Sequence, residues 1–173
     1  IRTLAANARL KARVAGIRRA SAEWLSVLAE DGAKMPGVLL KPADFDSTKR
    51  YPLLFFLYGG PGNTEVEDRW GGYYLWHTML TQQGYLVAVV DNRGTPAPLG
   101  RAWRKAIYGQ MGVIETRDQA VAARELRLRP YVDSARVGIW GWSYGAFMSL
   151  NALFQHPDIY RTAVAVSPVT NWK

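Results

Sequence analysis

The chain has 173 residues, 49% hydrophobic, 12% aromatic and 21% charged, with no cysteine. That composition fits one domain able to bury a substantial core, and it excludes disordered, collagenous and coiled-coil chains. It also excludes a disulfide framework, Cys-ligated metal sites and a thiol nucleophile, and the formal charge of +8 carries no function by itself.

Ile1 to Arg19 mixes Arg and Lys throughout and has no acid before Glu23. It lacks the apolar stretch of a signal peptide, and no later run approaches the ~20 apolar residues of a membrane helix. Arg2, Arg9, Lys11, Arg13, Arg18 and Arg19 could grip phosphate. A solvated helix face is the plainer reading, because Leu4, Ala8, Lys11 and Ala15 follow helical spacing. Trp24, Leu25, Val27 and Leu28 form an apolar segment, Glu30-Asp31-Gly32 is a turn signal, and Val38-Leu39-Leu40 follows. This predicts two neighbouring antiparallel strands.

Four largely apolar runs come next: Leu53 to Tyr58, Tyr85 to Val90, Val137 to Trp140 and Ala163 to Val166. Runs of this kind suit strands buried on both faces of a parallel sheet. Helical patterns separate them. Tyr73, Trp76, Met79 and Leu80 share one face, with Gly84 at the C-terminal cap. Thr116-Arg117-Asp118-Gln119 fits a capping box opening a helix that Pro130 stops, and Ala146 to Gln155 forms a third helix before His156-Pro157. Strand and helix alternate, which predicts an α/β fold with a mostly parallel sheet, right-handed crossovers and an antiparallel N-terminal hairpin. The carboxyl ends of the parallel strands then gather on one edge, where ligands bind in such sheets.

One of those ends carries chemistry. Gly141-Trp142-Ser143-Tyr144-Gly145 fits G-x-S-x-G, entered by a short apolar strand and left by a small-residue helix. That is the context a nucleophile elbow requires, with Ser143 exposed on the turn and the Tyr144 amide facing a developing oxyanion. The bland alternative is a tight turn with an incidental serine. Tyr58-Gly59-Gly60-Pro61-Gly62 stands where this fold carries its second oxyanion donor, although glycine dihedrals alone would also explain it. No phosphate-loop pattern is present.

These segments, together with Val90-Asp91-Asn92-Arg93-Gly94-Thr95, Ile107-Tyr108-Gly109-Gln110, Tyr131-Val132-Asp133 and Ser167-Pro168-Val169-Thr170-Asn171-Trp172, occur in order. The chain thereby resembles the catalytic domain of the prolyl oligopeptidase family of serine peptidases, in its bacterial-type dipeptidyl peptidase IV branch, from about Trp24 onward. The resemblance implies an α/β-hydrolase fold without cofactor or metal. Ser143 would be the acylated nucleophile, and the Tyr144 amide and Tyr58 hydroxyl the oxyanion donors. Val169 and Trp172 would line the pocket for a proline at P1, and Arg93 would organise its loop. Ala146 departs from the family's usual second glycine.

The family's catalytic order is Ser, then Asp or Glu, then His. After Ser143 only Asp158 and His156 follow, at the far end of the helix that starts at the nucleophile, and His77 precedes it. Both histidines therefore read as structural or solvated rather than as the base. The chain starts at Ile1 and stops at Lys173 just past an apolar strand, so it reads as a piece. Residues 1–20 would be a basic arm or linker from an upstream propeller domain, and 21–173 the first part of the peptidase domain, truncated before the catalytic Asp and His. The expected activity of the parent is release of N-terminal dipeptides with Pro or Ala second, from peptide substrates and without nucleic acid; the piece itself would be inactive. Another α/β-hydrolase activity (acylaminoacyl peptidase or esterase) and a non-catalytic binding module are the alternatives. The resemblance further implies a periplasmic or secreted parent and is compatible with a homodimer.

Overall fold

The computed structural model describes residues 4–172; Arg2 of the basic run and the terminal Lys173 lie outside them. A short helix, α1 (Ala8–Ala15), leads into the hairpin β1 (Ser21–Leu28) and β2 (Lys34–Lys41). Then follow β3 (Tyr51–Phe56), α2 (Tyr74–Gln82), β4 (Leu86–Val90), α3 (Gly100–Lys105), α4 (Ile114–Arg127), β5 (Val132–Trp142), α5 (Tyr144–Gln155) and β6 (Thr162–Val166). All six strands join one sheet in the order β1-β2-β4-β3-β5-β6. The hairpin is antiparallel and meets β4 antiparallel, whereas β3, β4, β5 and β6 run parallel. The fold is the α/β sheet that the alternation of runs predicts.

Side chains alternate across the sheet, as a strand's period of two requires. Leu39, Phe55, Ala88, Val90 and Ile139 pack on one face with Ala120, Ala123 and Leu126 of α4 and Met148 and Ala152 of α5. Val38, Phe56, Val89 and Trp140 form a smaller cluster on the other face, with Tyr73 beside α2. β4 is buried at all five positions, as a central strand covered on both faces should be.

Three expectations need correction, and one element was not expected. The α2 face directed inward carries His77, Thr78 and Thr81, while Trp76 and Met79 are 47% and 37% exposed. Apolar periodicity identified the helix but not its buried side: His77 joins the aromatic cluster around Trp140 as a buried ring, while Trp76 packs edge-on to Trp140 and stays half-exposed. α4 starts at Ile114, with no side-chain cap. Thr116 therefore sits inside the first turn, its hydroxyl donating back to the Gly112 carbonyl at 2.7 Å, so no capping box forms there. β6 is an edge strand with no fully buried residue, and Val164 is 56% exposed. Its apolar run therefore does not signal burial on both faces. The short α3 has no counterpart among the expected elements. Its Gly100 lies at φ 90°, and Trp103 anchors it, donating to the Thr95 hydroxyl at 3.2 Å.

Candidate active site

The carboxyl ends of β3, β4, β5 and β6 lie side by side, and the chain turns sharply after β5. Ser143 occupies φ 56°, ψ −114°, a region that a residue with a Cβ adopts only when its surroundings enforce it. The enforcement is visible. Its amide donates to the Val166 carbonyl at 2.9 Å, and its own carbonyl accepts from Ala146 and Phe147 at 3.1 Å each, which starts α5. A Cβ on Gly141 would stand 2.5 Å from the Leu57 carbonyl oxygen, and one on Gly145 would overlap that same oxygen. Glycine on both sides of the serine is thus a packing requirement: β3 runs too close to the turn for any other residue. Ala146, where the family pattern has glycine, is fully buried in the first turn of α5 without disturbing it.

Tyr144 follows the serine. As the first residue of α5, its N–H has no acceptor within the helix and is directed out of the helix N-terminus. Its ring is buried. It lies 5.9 Å from the Tyr58 ring, 5.5 Å from Phe147 and 5.8 Å from Trp172. A Cβ on Gly60 would come within 2.6 Å of it. The Tyr58–Gly60 loop, Ser143, Tyr144 and Trp172 are thereby gathered around one ring. Tyr58 is half-buried, and among the described residues its hydroxyl takes no hydrogen-bond partner. Trp172 also packs on Phe147 at 5.6 Å, and Val169 is half-buried in the segment between β6 and Trp172.

Beneath the loops lies a buried polar network of which sequence reading singled out only Arg93. Asn92 donates to the Gly59 carbonyl at 2.8 Å and to the Arg93 carbonyl at 2.7 Å. Gln119 donates to the Val90 carbonyl at 2.8 Å and to Asn92 Oδ1 at 3.0 Å. Arg93 meets Asp118 through Nε at 3.0 Å and a terminal nitrogen at 2.7 Å, and it also pairs with Asp31. These partners hold its proton more firmly than usual, Asp118 most of all. The Asp91 carboxylate accepts from the amides of Glu65 and Val66, and burial pushes its pKa up against those bonds. A signal was present. Glu115, Asp118, Gln119 and Ala122 recur at helical spacing and all face inward, so α4 has a polar buried stripe where an apolar one is usual.

Neither histidine approaches this constellation. His77 is 6% exposed and packs against Phe56 and Trp140 at 4.9 and 6.1 Å; burial depresses its pKa to about 4. His156 caps the C-terminus of α5, ~18 Å along the helix from its start. Among the described residues no group of three His, Cys, Asp or Glu could hold a metal ion, and no helix is long and apolar enough to cross a membrane. A cavity of about 260 Å³ lies on the α2 face of the sheet, among Trp24, Phe56, Glu65, Tyr73 and His77, away from the serine turn.

Known proteins resemble this chain over most of its length. The chain is 42% identical over 144 residues to the protein described as "probable dipeptidyl-aminopeptidase B" of Paracoccidioides lutzii, covering 83% of this chain and 16% of the relative. A protein described likewise from Arthroderma otae is 42% identical over 149 residues, again with 16% of its length covered. The crystal structure of Porphyromonas gingivalis dipeptidyl peptidase 4 superposes with a TM-score of 0.90 at 40% identity, over 99% of this chain and 24% of that one. The chain thus spans about a sixth of the length of the curated relatives it matches. Residues 73–173, which carry the serine turn and everything after it, match the model of the prolyl oligopeptidase family. On these findings the chain belongs to the prolyl oligopeptidase family and is similar within it to the dipeptidyl peptidases of type IV.

Proposed function

We propose that the complete gene product is a serine peptidase acylated at Ser143, releasing N-terminal dipeptides with proline or alanine in second place. The observation that carries this reading is the Ser143 backbone at φ 56°, ψ −114°, between a strand end and a helix N-terminus. The turn holds the hydroxyl out at the sheet edge, where Oγ can reach a peptide carbonyl. As the Oγ–C bond forms, negative charge gathers on the carbonyl oxygen, and the Tyr144 amide and Tyr58 hydroxyl donate to it. The C–N bond then breaks, and the serine proton passes through a base to the leaving amine; water reverses the sequence to free the acyl group. Val169 and Trp172 seat the P1 side chain.

The described histidines are too remote for that base, so a histidine and its aspartate belong to a part of the gene product beyond these residues. Residues 1–20 connect to an upstream propeller domain, and 21–173 open the peptidase domain. Support comes from α1, which has no buried residue, and from relatives about five times as long. We propose in addition a periplasmic or secreted location, which the sequence resemblance implies and fractionation of the source cells would test.

The test is hydrolysis by the complete gene product of a Gly-Pro amide beside a short acyl ester. Preferential cleavage of the amide, abolished by Ser143→Ala, is the expected result, with at most very weak turnover by the 173-residue chain alone. Ester cleavage without amide cleavage would reassign the protein to another hydrolase activity, and no Ser143-dependent turnover of either would make it a binding module.

A further inference from the structure

Glu115 is an unusual occupant of its site. It stands in the first turn of α4, fully buried, and among the described residues no cation pairs with it. Its Oε1 accepts the Tyr144 hydroxyl at 2.5 Å and its Oε2 accepts the Gly112 amide at 2.9 Å. The nearby charge is that of Asp118, which is repulsive, and burial raises the Glu115 pKa against the hydrogen bonds that favour ionisation. An apolar residue of similar volume would satisfy the core at lower cost, so packing alone does not account for a carboxylate here. Its direct contact explains more: it grips the far end of the ring that follows the nucleophile.

That ring is the partition of the site. The Tyr58–Gly60 loop lies on it, Trp172 and Phe147 pack against it, and its own backbone continues from Ser143. We propose that Glu115 is a positioning residue for the peptidase reaction, fixing the Tyr144 ring through its hydroxyl and so setting the wall against which a cyclic P1 side chain is selected. The inference rests on the serine-peptidase reading. Glu115 touches neither substrate nor reacting atoms; it acts through Tyr144.

The experiment compares kcat/KM for a Gly-Pro amide with that for a short acetyl ester, whose acyl group is too small to reach the ring, in the complete gene product. In Glu115→Ala and Tyr144→Phe the amide-to-ester ratio is expected to fall about tenfold, the size of one lost charge-assisted hydrogen bond, with the amide loss mainly in KM. The double variant should fall no further than either single one. Glu115→Gln, which keeps an acceptor for the Tyr144 hydroxyl, should restore the ratio to within about threefold. A merely structural role would lower both substrates alike and leave the ratio where it was, and that result overturns the proposal. Should Glu115→Ala not fold, Tyr144→Phe and Glu115→Gln decide the matter. A wild-type protein without Ser143-dependent amide cleavage overturns the peptidase reading and the role of Glu115 together, whereas an active wild type with an unmoved ratio removes Glu115 only.

Discussion

Gly145 lies two residues past the proposed nucleophile, where a side chain would run into the Leu57 carbonyl oxygen. The obstacle is backbone just past the end of the central strand β3 and cannot swing aside as a side chain could. Gly145→Ala should therefore destabilise the fold by about 1–3 kcal/mol through overpacking, measurable by urea denaturation. In the complete protein the same change should slow acylation, because the turn can relieve the overlap only by releasing Ser143 from φ 56°. A variant as stable and as reactive as the wild type would show that the close approach of β3 is not what the glycine serves. Ala146, one residue later, is the internal contrast: its methyl sits in a helical turn and meets no such obstacle.

Between elements, the junction of β4 with α4 sets the loops over the site. Asp118 on α4 binds the Arg93 side chain through both oxygens and also accepts from its amide at 3.0 Å. The pair is largely enclosed, with side-chain exposures of 1% and 13%. Asp118→Asn leaves that guanidinium without its main partner and should cost about 3 kcal/mol. Chemical denaturation of the variant checks it, and a loss below about 1 kcal/mol, as for an exposed pair, would refute it.

The same junction shows what the sequence could reveal and what it could not. The hairpin, the apolar strands and the glycine-bounded serine were legible because each rests on local chemistry: a period of two, a turn signal, a steric need for glycine. The capping box at Thr116 was misread because Asp118 and Gln119 look like first-turn polar residues. Their true partners, Arg93 and Asn92, are 25 and 27 residues away, and only the folded chain brings them together. Trp76 and Met79 misled similarly, since periodicity shows that a helix has an apolar face but not whether the described chain covers it. The role proposed for the Tyr144 amide rests on the serine turn itself and those proposed for Val169 and Trp172 on kinship, whereas the ring contacts that join Tyr58, Tyr144 and Trp172 came from the fold.

For the molecule as a whole, the half-buried Glu65 and the buried His77 on the α2 side pull stability in opposite directions with pH. Burial raises Glu65 from 4.5 to about 7, although Asn63 donates to it. Its folded form thus holds a proton that the unfolded chain has released between those values, so its contribution falls as pH rises through that window. His77, depressed from 6.5 to about 4, does the reverse: the unfolded chain binds the extra proton, and stability rises with pH from about 4 to 6.5. Glu65→Gln removes only the first effect. Relative to wild type, the variant should gain stability at pH 8 compared with pH 5 in paired urea titrations; an equal difference at both pH values would overturn the assignment.

The amide of Ser143 donates across to the Val166 carbonyl, at the end of an edge strand supported on one side only. That single bond turns the serine into a gauge. Deuterium uptake at this amide can proceed no faster than β6 detaches, so its protection reports the docking of the outermost strand while the hydroxyl reports chemistry. One residue thus offers two clocks. If whatever joins β6 along its open side slows the first, the labelling rate at Ser143 will be coupled to sheet completion through a hydrogen bond that plays no part in the bond-breaking step.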